Sequence, residues 1–196
     1  MDESLILGID PGLHITGYGL LRADTRGCRL EEAGVVRGPS RGSLAERICQ
    51  IHRGICEVLD GCGPAIVALE QLYSHYQRPR TAILMGHARG VICLAAAERS
   101  IPVLDYAATH VKKLLTGNGR APKSQVQDAV QRELGLRSLP EPADVADALA
   151  IAMCHYYTRS PLTARHATIT STVSSSTTST ATSTATSKAP PGGPHL

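Results

Sequence analysis

Leu5-Ile6-Leu7-Gly8-Ile9-Asp10-Pro11-Gly12 is an apolar run that closes on a carboxylate and a Pro-Gly turn. Short, apolar and bounded by a turn, it reads as a β-strand. A second apolar run over residues 15–22 lies just beyond the turn, and Asp24-Thr25-Arg26-Gly27 leads from it into a third that ends at Val35-Val36. Together they read as an antiparallel meander of three strands. An unpaired charge among such apolar neighbours costs several kcal/mol, so Asp10 requires compensation.

Working outward, Ser43-Leu44-Ala45-Glu46 has the pattern of a capping box, and Leu44, Ile48, Ile51, Ile55 and Val58 recur at helical spacing until Gly61 and Pro64. Ala65-Ile66-Val67-Ala68-Leu69 follows as a compact apolar run ending in Glu70. After a helix, such a run predicts a buried strand parallel to the first. A second helix is expected from about Pro79 to Arg99, a strand from Ile101 to Leu104, and a helix from about Ala107 to Leu115. Another helix begins near Pro122, and the last runs from beyond Pro142 to about Tyr157. The order β-β-β-α-β-α-β-α-α-α predicts an α/β fold: a mixed five-stranded sheet, antiparallel then parallel, with helices on both faces.

The 196 residues suit one domain and a tail, divided at 1–158 and 159–196. Residues 163–187 are mostly Ser, Thr and Ala, and the Pro190-Pro191-Gly192-Gly193-Pro194 ending is equally unable to build a core. The tail is therefore expected to be disordered. With no Phe and no Trp, the core must be made of Leu, Ile, Val and Ala. No apolar run approaches the ~18 residues of a membrane span, and Met1-Asp2-Glu3-Ser4 is not basic, so a soluble cytoplasmic protein with no membrane partner is expected. Arg165 and Lys188 are the only charged side chains of residues 161–196, which leaves 18 basic against 17 acidic residues before them. That balance excludes a general polyanion binder and confines any nucleic-acid role to a local basic patch. The six cysteines form no C-x-x-C pair and show no matching His spacing, and are expected to be reduced thiols.

Glu70 ends its strand as Asp10 ends the first, and the carboxyl ends of neighbouring parallel strands are where open α/β sheets place their sites. In Pro142-Ala143-Asp144-Val145-Ala146-Asp147-Ala148-Leu149 two aspartates three residues apart share one face of a small, apolar helix. Asp144 alone would suit a helix N-terminus, and an ion pair with an arginine such as Arg89 is the structural alternative for Asp10 or Glu70. Four carboxylates without His or Cys at metal spacing instead suit hard octahedral cations, Mg²⁺ or Mn²⁺. Two such ions per subunit would support phosphodiester hydrolysis. In that scheme Asp10 bridges the ions, Glu70 and Asp147 each complete one shell, and Asp144 binds metal or orients the attacking water.

Taken in order, Ile6-Leu7-Gly8-Ile9-Asp10-Pro11-Gly12, Thr16-Gly17-Tyr18-Gly19, Leu69-Glu70-Gln71, Gly86-His87-Ala88-Arg89-Gly90, Lys123-Ser124-Gln125-Val126 and Ala143-Asp144-Val145-Ala146-Asp147-Ala148-Leu149-Ala150 resemble the RuvC family of bacterial Holliday-junction resolvases, a branch of the RNase H-like nucleases. The resemblance spans residues 4–157. It implies a homodimer that nicks opposing strands of a four-way DNA junction symmetrically, in recombination and repair, alongside the RuvA and RuvB branch-migration proteins. It also places the family's four catalytic acids on Asp10, Glu70, Asp144 and Asp147. Just after Glu-Gln the family often carries a base-stacking aromatic, and here that position is Tyr73; a rim tyrosine with its hydroxyl in water is the alternative. The Ser/Thr tail is not part of the family pattern.

Lys112, Lys113, Arg120 and Lys123 flank Gly117-Asn118-Gly119. A solvated charged surface is the ordinary reading of such a group, but acids facing a polyanion need cations nearby, and Lys112 and Lys123 are assigned to phosphate contacts. Ala82, Gly86 and Gly90 form a small-residue stripe on which a twofold axis would pair two copies. Two other functions compete. Gly8-Ile9-Asp10-Pro11-Gly12 with Thr16 also resembles the first phosphate loop of actin-like ATPases, and Asp60-Gly61-Cys62-Gly63 imitates their second, but that segment ends a helix and the ordered chain is too short for two lobes. An RNA-processing nuclease of the same fold is the nearer alternative, and a non-catalytic junction-binding module is the third.

Overall fold

The computed structural model describes residues 3–72 and 79–159. Tyr73 and residues 160–196 lie outside them, so neither the stacking position nor the tail is described. Three strands come first, β1 (Ser4–Asp10), β2 (Ile15–Ala23) and β3 (Cys28–Arg37), followed by α1 (Leu44–Cys62), β4 (Ile66–Glu70), α2 (Pro79–Ala97) and β5 (Val103–Tyr106). Three helices close the series: α3 (Ala108–Thr116), α4 (Lys123–Glu133) and α5 (Ala143–Arg159). The sheet order is β3-β2-β1-β4-β5, with β1, β2 and β3 antiparallel and β1, β4 and β5 parallel.

Local chemistry sets the boundaries. At the start of α1, the Ser43 side chain accepts from the Glu46 amide while Glu46 Oε2 accepts from the Ser43 amide at 2.7 Å, so the capping box forms in full. The helix ends where Gly63 turns left-handed at φ 54° and donates to the Leu59 carbonyl. The last strand begins two residues later than its sequence predicts. Pro102 has no amide to give a ladder; its carbonyl accepts from Val67, and pairing starts at Val67 with Val103. The shift puts Asp105 on the strand.

Alternation along the strands sorts the core into two layers. Leu7, Ile9, Leu20, Val67 and Leu69 face Ile51, Ile55 and Leu59 of α1 and Ala88, Ile92, Ala95 and Ala96 of α2. Ile6, Leu21 and Ala68 face the other way, toward α5. Every residue of α5 from Val145 to Tyr156 except Asp147 is buried, which makes α5 the central helix of its layer. The small-residue stripe of α2 divides: a Cβ at Gly86 would come within 4.0 Å of Leu72 Cδ1, whereas one at Gly90 would point into open space among the described residues. Ile83 and Leu94 are exposed on α2, at 63% and 51%.

Candidate active site

The parity that sorts the core also aims the acids. Residues 6, 8 and 10 of β1 and 66, 68 and 70 of β4 share the face toward α5, and the pairing of Ile9 with Leu69 leaves Asp10 and Glu70 side by side at the carboxyl ends of two parallel strands. Above them α5 lies unusually close. A Cβ at Gly8 would run into the Ala148 carbonyl and the Ala152 amide of α5, and one at Gly17 into the carbonyl of Asp144 itself. Since Gly8 pairs with Gly19 and Asp10 with Gly17, a patch of glycines forms the floor on which the first turns of α5 rest. This floor is what carries Asp144 and Asp147 to Asp10.

Asp10, Glu70, Asp144 and Asp147 line one pocket of about 370 Å³, together with Lys112 of α3 and Lys123 of α4. Lys123 Nζ bonds Asp147 Oδ2 at 2.7 Å. The other two cations that flank the glycine loop, Lys113 and Arg120, are exposed and do not line it. Burial, then the charges of Asp147, Glu70 and Asp144, push the Asp10 carboxyl up to about 7, with Lys123 acting against them. Glu70 is raised by burial and by Asp147, and lowered by Lys123 and Lys112. Lys123 itself is raised, chiefly by its hydrogen bond to Asp147.

Arg89 takes neither acid as its partner. Its guanidinium bonds Asp105 Oδ1 at 2.6 Å and donates to the backbone carbonyl of Glu70 at 3.4 Å, so it fixes the end of β4 while leaving the Glu70 carboxylate to the pocket. The sequence singled out Arg89 but not Asp105, whose place depends on the late start of β5. Thr16 is fully buried and donates to the Gly12 carbonyl at 2.8 Å, bracing the turn that follows Asp10. Glycine spacing in the first two strands was the one signal of the close helix contact, and it becomes readable only once the strand register is known.

Fold and site together define an RNase H-like protein: a mixed sheet of this order, with carboxylates of β1, β4 and the last helix gathered at one end. A family model described as crossover junction endodeoxyribonuclease RuvC matches residues 6–155. A relative named crossover junction endodeoxyribonuclease RuvC from Rhodopirellula baltica is 57% identical over 160 residues, which are 81% of this chain and 90% of that protein. One of the same name from Moorella thermoacetica is 46% identical over 151 residues, 77% of this chain and 90% of that protein. Among solved structures, Thermus thermophilus RuvC in complex with a Holliday junction substrate matches with a TM-score of 0.73 at 36% identity, covering 80% of this chain and 95% of that one. The chain belongs to the RuvC family. Among the described residues, no helix is long and apolar enough to cross a membrane.

Proposed function

We propose that the protein is a Holliday-junction resolvase, an endonuclease that makes paired nicks in four-way DNA junctions during recombination and repair. The observation that carries the reading is the convergence of Asp10, Glu70, Asp144 and Asp147 in one pocket flanked by Lys112 and Lys123. Acids so placed that burial and mutual repulsion hold one of them near neutrality call for a positive counterpart. The donors are oxygens, and among the described residues neither His nor Cys lines the pocket, which fits hard divalent cations.

Asp10 would hold two Mg²⁺ ions, with Mn²⁺ able to replace them, while Glu70 and Asp147 each hold one and Asp144 ligates or orients water. When bound, such a pair supplies an activated water and stabilises the leaving 3′ oxygen of an in-line displacement. Lys123 and Lys112 hold the phosphate backbone against the acids, and charge-assisted contacts of this kind set register rather than base sequence. Tyr73 supplies an aromatic surface to an unstacked base. Residues 1–158 carry the activity, which takes place in the cytoplasm on junctions delivered by RuvA and RuvB. A homodimer presents two such pockets to the junction, one for each nick.

The test compares a mobile four-way junction with linear duplex in Mg²⁺, using wild type, Asp144→Asn and an EDTA control. Paired nicks confined to the junction, lost with EDTA and with Asp144→Asn while junction binding persists, are the expected result. Equal cutting of linear duplex, or Asp144→Asn cutting as wild type does, overturns the reading.

A further inference from the structure

On the sheet face away from the nuclease pocket, α1 and the chain just past α2 bring together an imidazole, a thiol and a carboxylate. We propose that His52, Cys56 and Glu98 form a binding site for one borderline-soft divalent cation of the Zn²⁺ type, separate from the hard-ion centre of Asp10 and its neighbours. His52 and Cys56 are four residues apart on α1 and so lie on one face of the helix. Glu98 follows α2 directly and continues its last turn, its amide donating to the Leu94 carbonyl at 2.9 Å.

The spacing is that of a coordination shell. Cys56 Sγ stands 3.8 Å from His52 Nε2, His52 Nε2 stands 3.4 Å from Glu98 Oε2, and one ligand atom from each of the three lies within 4.8 Å of the others. Bonds of about 2.3 Å to sulfur and about 2.0–2.2 Å to nitrogen and oxygen give tetrahedral edges of about 3.6 Å for N···S and about 3.4 Å for N···O. The N···O edge already has that length and the 3.8 Å N···S edge is close to its own, while the sulfur and the carboxylate, within 4.8 Å of each other, close the remaining edge as the ion enters. A plain imidazole–carboxylate ion pair would explain the 3.4 Å contact but gives no reason for a thiol at the third corner.

Arg99, next in sequence to Glu98, spends its guanidinium on both Asp60 oxygens at 2.6 and 2.7 Å and on the Ala95 carbonyl at 3.0 Å. Its Nη1 also stands 3.7 Å from Glu98 Oε2 and its guanidinium reaches the Cys56 sulfur, so a cation entering the site takes these two ligands over from Arg99. One thiolate, one carboxylate and a neutral imidazole sum to two negative charges, which a divalent ion cancels. Ligation releases the Cys56 thiol proton to solvent and leaves the proton of His52 on Nδ1. Three protein ligands leave the fourth position to water. No linear Cys/His pattern announces the site, because its third ligand comes from a distant segment, just past the end of α2.

The proposal is independent of the nuclease reading and is tested without cleavage. Full-length protein is stripped with EDTA, exchanged into buffer with excess Mg²⁺ to occupy the oxygen sites, and titrated with Co²⁺. One equivalent is expected to give a sulfur-to-cobalt charge-transfer band in the near ultraviolet, bleached by Zn²⁺, absent in Cys56→Ser, and unchanged in Cys49→Ser and Cys93→Ser. Zn²⁺ is likewise expected to slow alkylation of Cys56 at least tenfold, read by peptide mass spectrometry, and to lose that effect in His52→Ala. A folded wild type that gives no band, a band that survives Cys56→Ser, or alkylation indifferent to Zn²⁺ overturns the site.

Discussion

Lys123 Nζ sits 2.7 Å from Asp147 Oδ2, joining the first residue of α4 to the one residue of α5 between Val145 and Tyr156 that is not buried. The lysine side chain is 71% exposed and the aspartate 21%, so the ammonium reaches in from solvent to an acid already set in the protein. That same charge lowers the proton affinity of Asp10 and Glu70. Any divalent cation taken by Asp147 therefore meets a cation already in place, and the lysine freed by it is poised for a phosphate.

Lys123→Met separates those two effects. Removing the competing charge is expected to tighten Mn²⁺ binding to the free protein several-fold, measured by calorimetry. Removing the proposed phosphate contact is expected to slow junction cleavage at least tenfold at saturating metal. A variant that binds Mn²⁺ more weakly than wild type would contradict the competition.

The Asp10 carboxyl, pushed up to about 7 from an ordinary 3.8, links stability to pH in a definite sense. A group whose folded pKa lies above its unfolded one contributes stability that is fully present below about pH 4 and is lost as pH rises through about 7. In EDTA the Asp10 contribution thus falls between those limits. Asp10→Asn keeps the shape and removes the titration, so it is expected to be more stable than wild type at pH 8, with the gap closing at pH 5. The difference is at most a few kcal/mol, since about 1.4 kcal/mol accompanies each unit and neighbouring acids share the burden. Urea titrations at the two pH values check it, and a constant gap would refute it.

Gly8 and Gly17 test the floor beneath α5. Alanine at either position meets helix backbone, which cannot rotate aside as a side chain can, and Gly19→Ala meets mainly the side chain of Leu149. Overpacking of the first kind costs about 1–3 kcal/mol. A displacement of about 1 Å at a reacting centre can cost roughly 100-fold in rate. Gly17→Ala is therefore expected to retain junction binding and lose cleavage by about that factor, with Gly19→Ala less affected in both stability and rate. Equal behaviour of the two variants in melting and nicking assays would remove the floor from the argument.

Most of this fold is legible in the chain because its signals are local. The capping box of Ser43 and Glu46, the apolar strands and the proline boundaries each act within a few residues, and all ten elements come out in the expected order. The boundary of β5 is less legible, because it is decided by where Val67 finds a partner and not by the apolar run Ile101–Leu104. Within the pocket, the four carboxylates stand out because charge in apolar strands and on a buried helix is costly. Asp105 does not stand out, nor does the use of Arg89 to hold the Glu70 carbonyl, since both depend on contacts between distant segments. The glycine floor needs a strand register and a helix crossing together.

The proposed pairing of nicks calls for a second copy, and α2 carries an exposed apolar face that would suit it. Ile83 and Leu94 are eleven residues apart, about three helical turns, so both point the same way, with Gly90 open between them. Two large aliphatic side chains about half exposed on one helix face would gain roughly half of the about 1.5–3 kcal/mol that full burial of such a side chain brings, which favours association of that face with its own twofold mate. Glutamate at both positions sets charges of one sign against each other across such an axis while leaving the nuclease pocket untouched. Ile83→Glu combined with Leu94→Glu is expected to sediment as a monomer at micromolar concentration. It is also expected to convert paired cleavage of a junction in a supercoiled plasmid into singly nicked circles. A double variant that remains dimeric and still linearises the plasmid would move the interface off this face, because four carboxylates, two from each copy, cannot be accommodated in an apolar twofold contact.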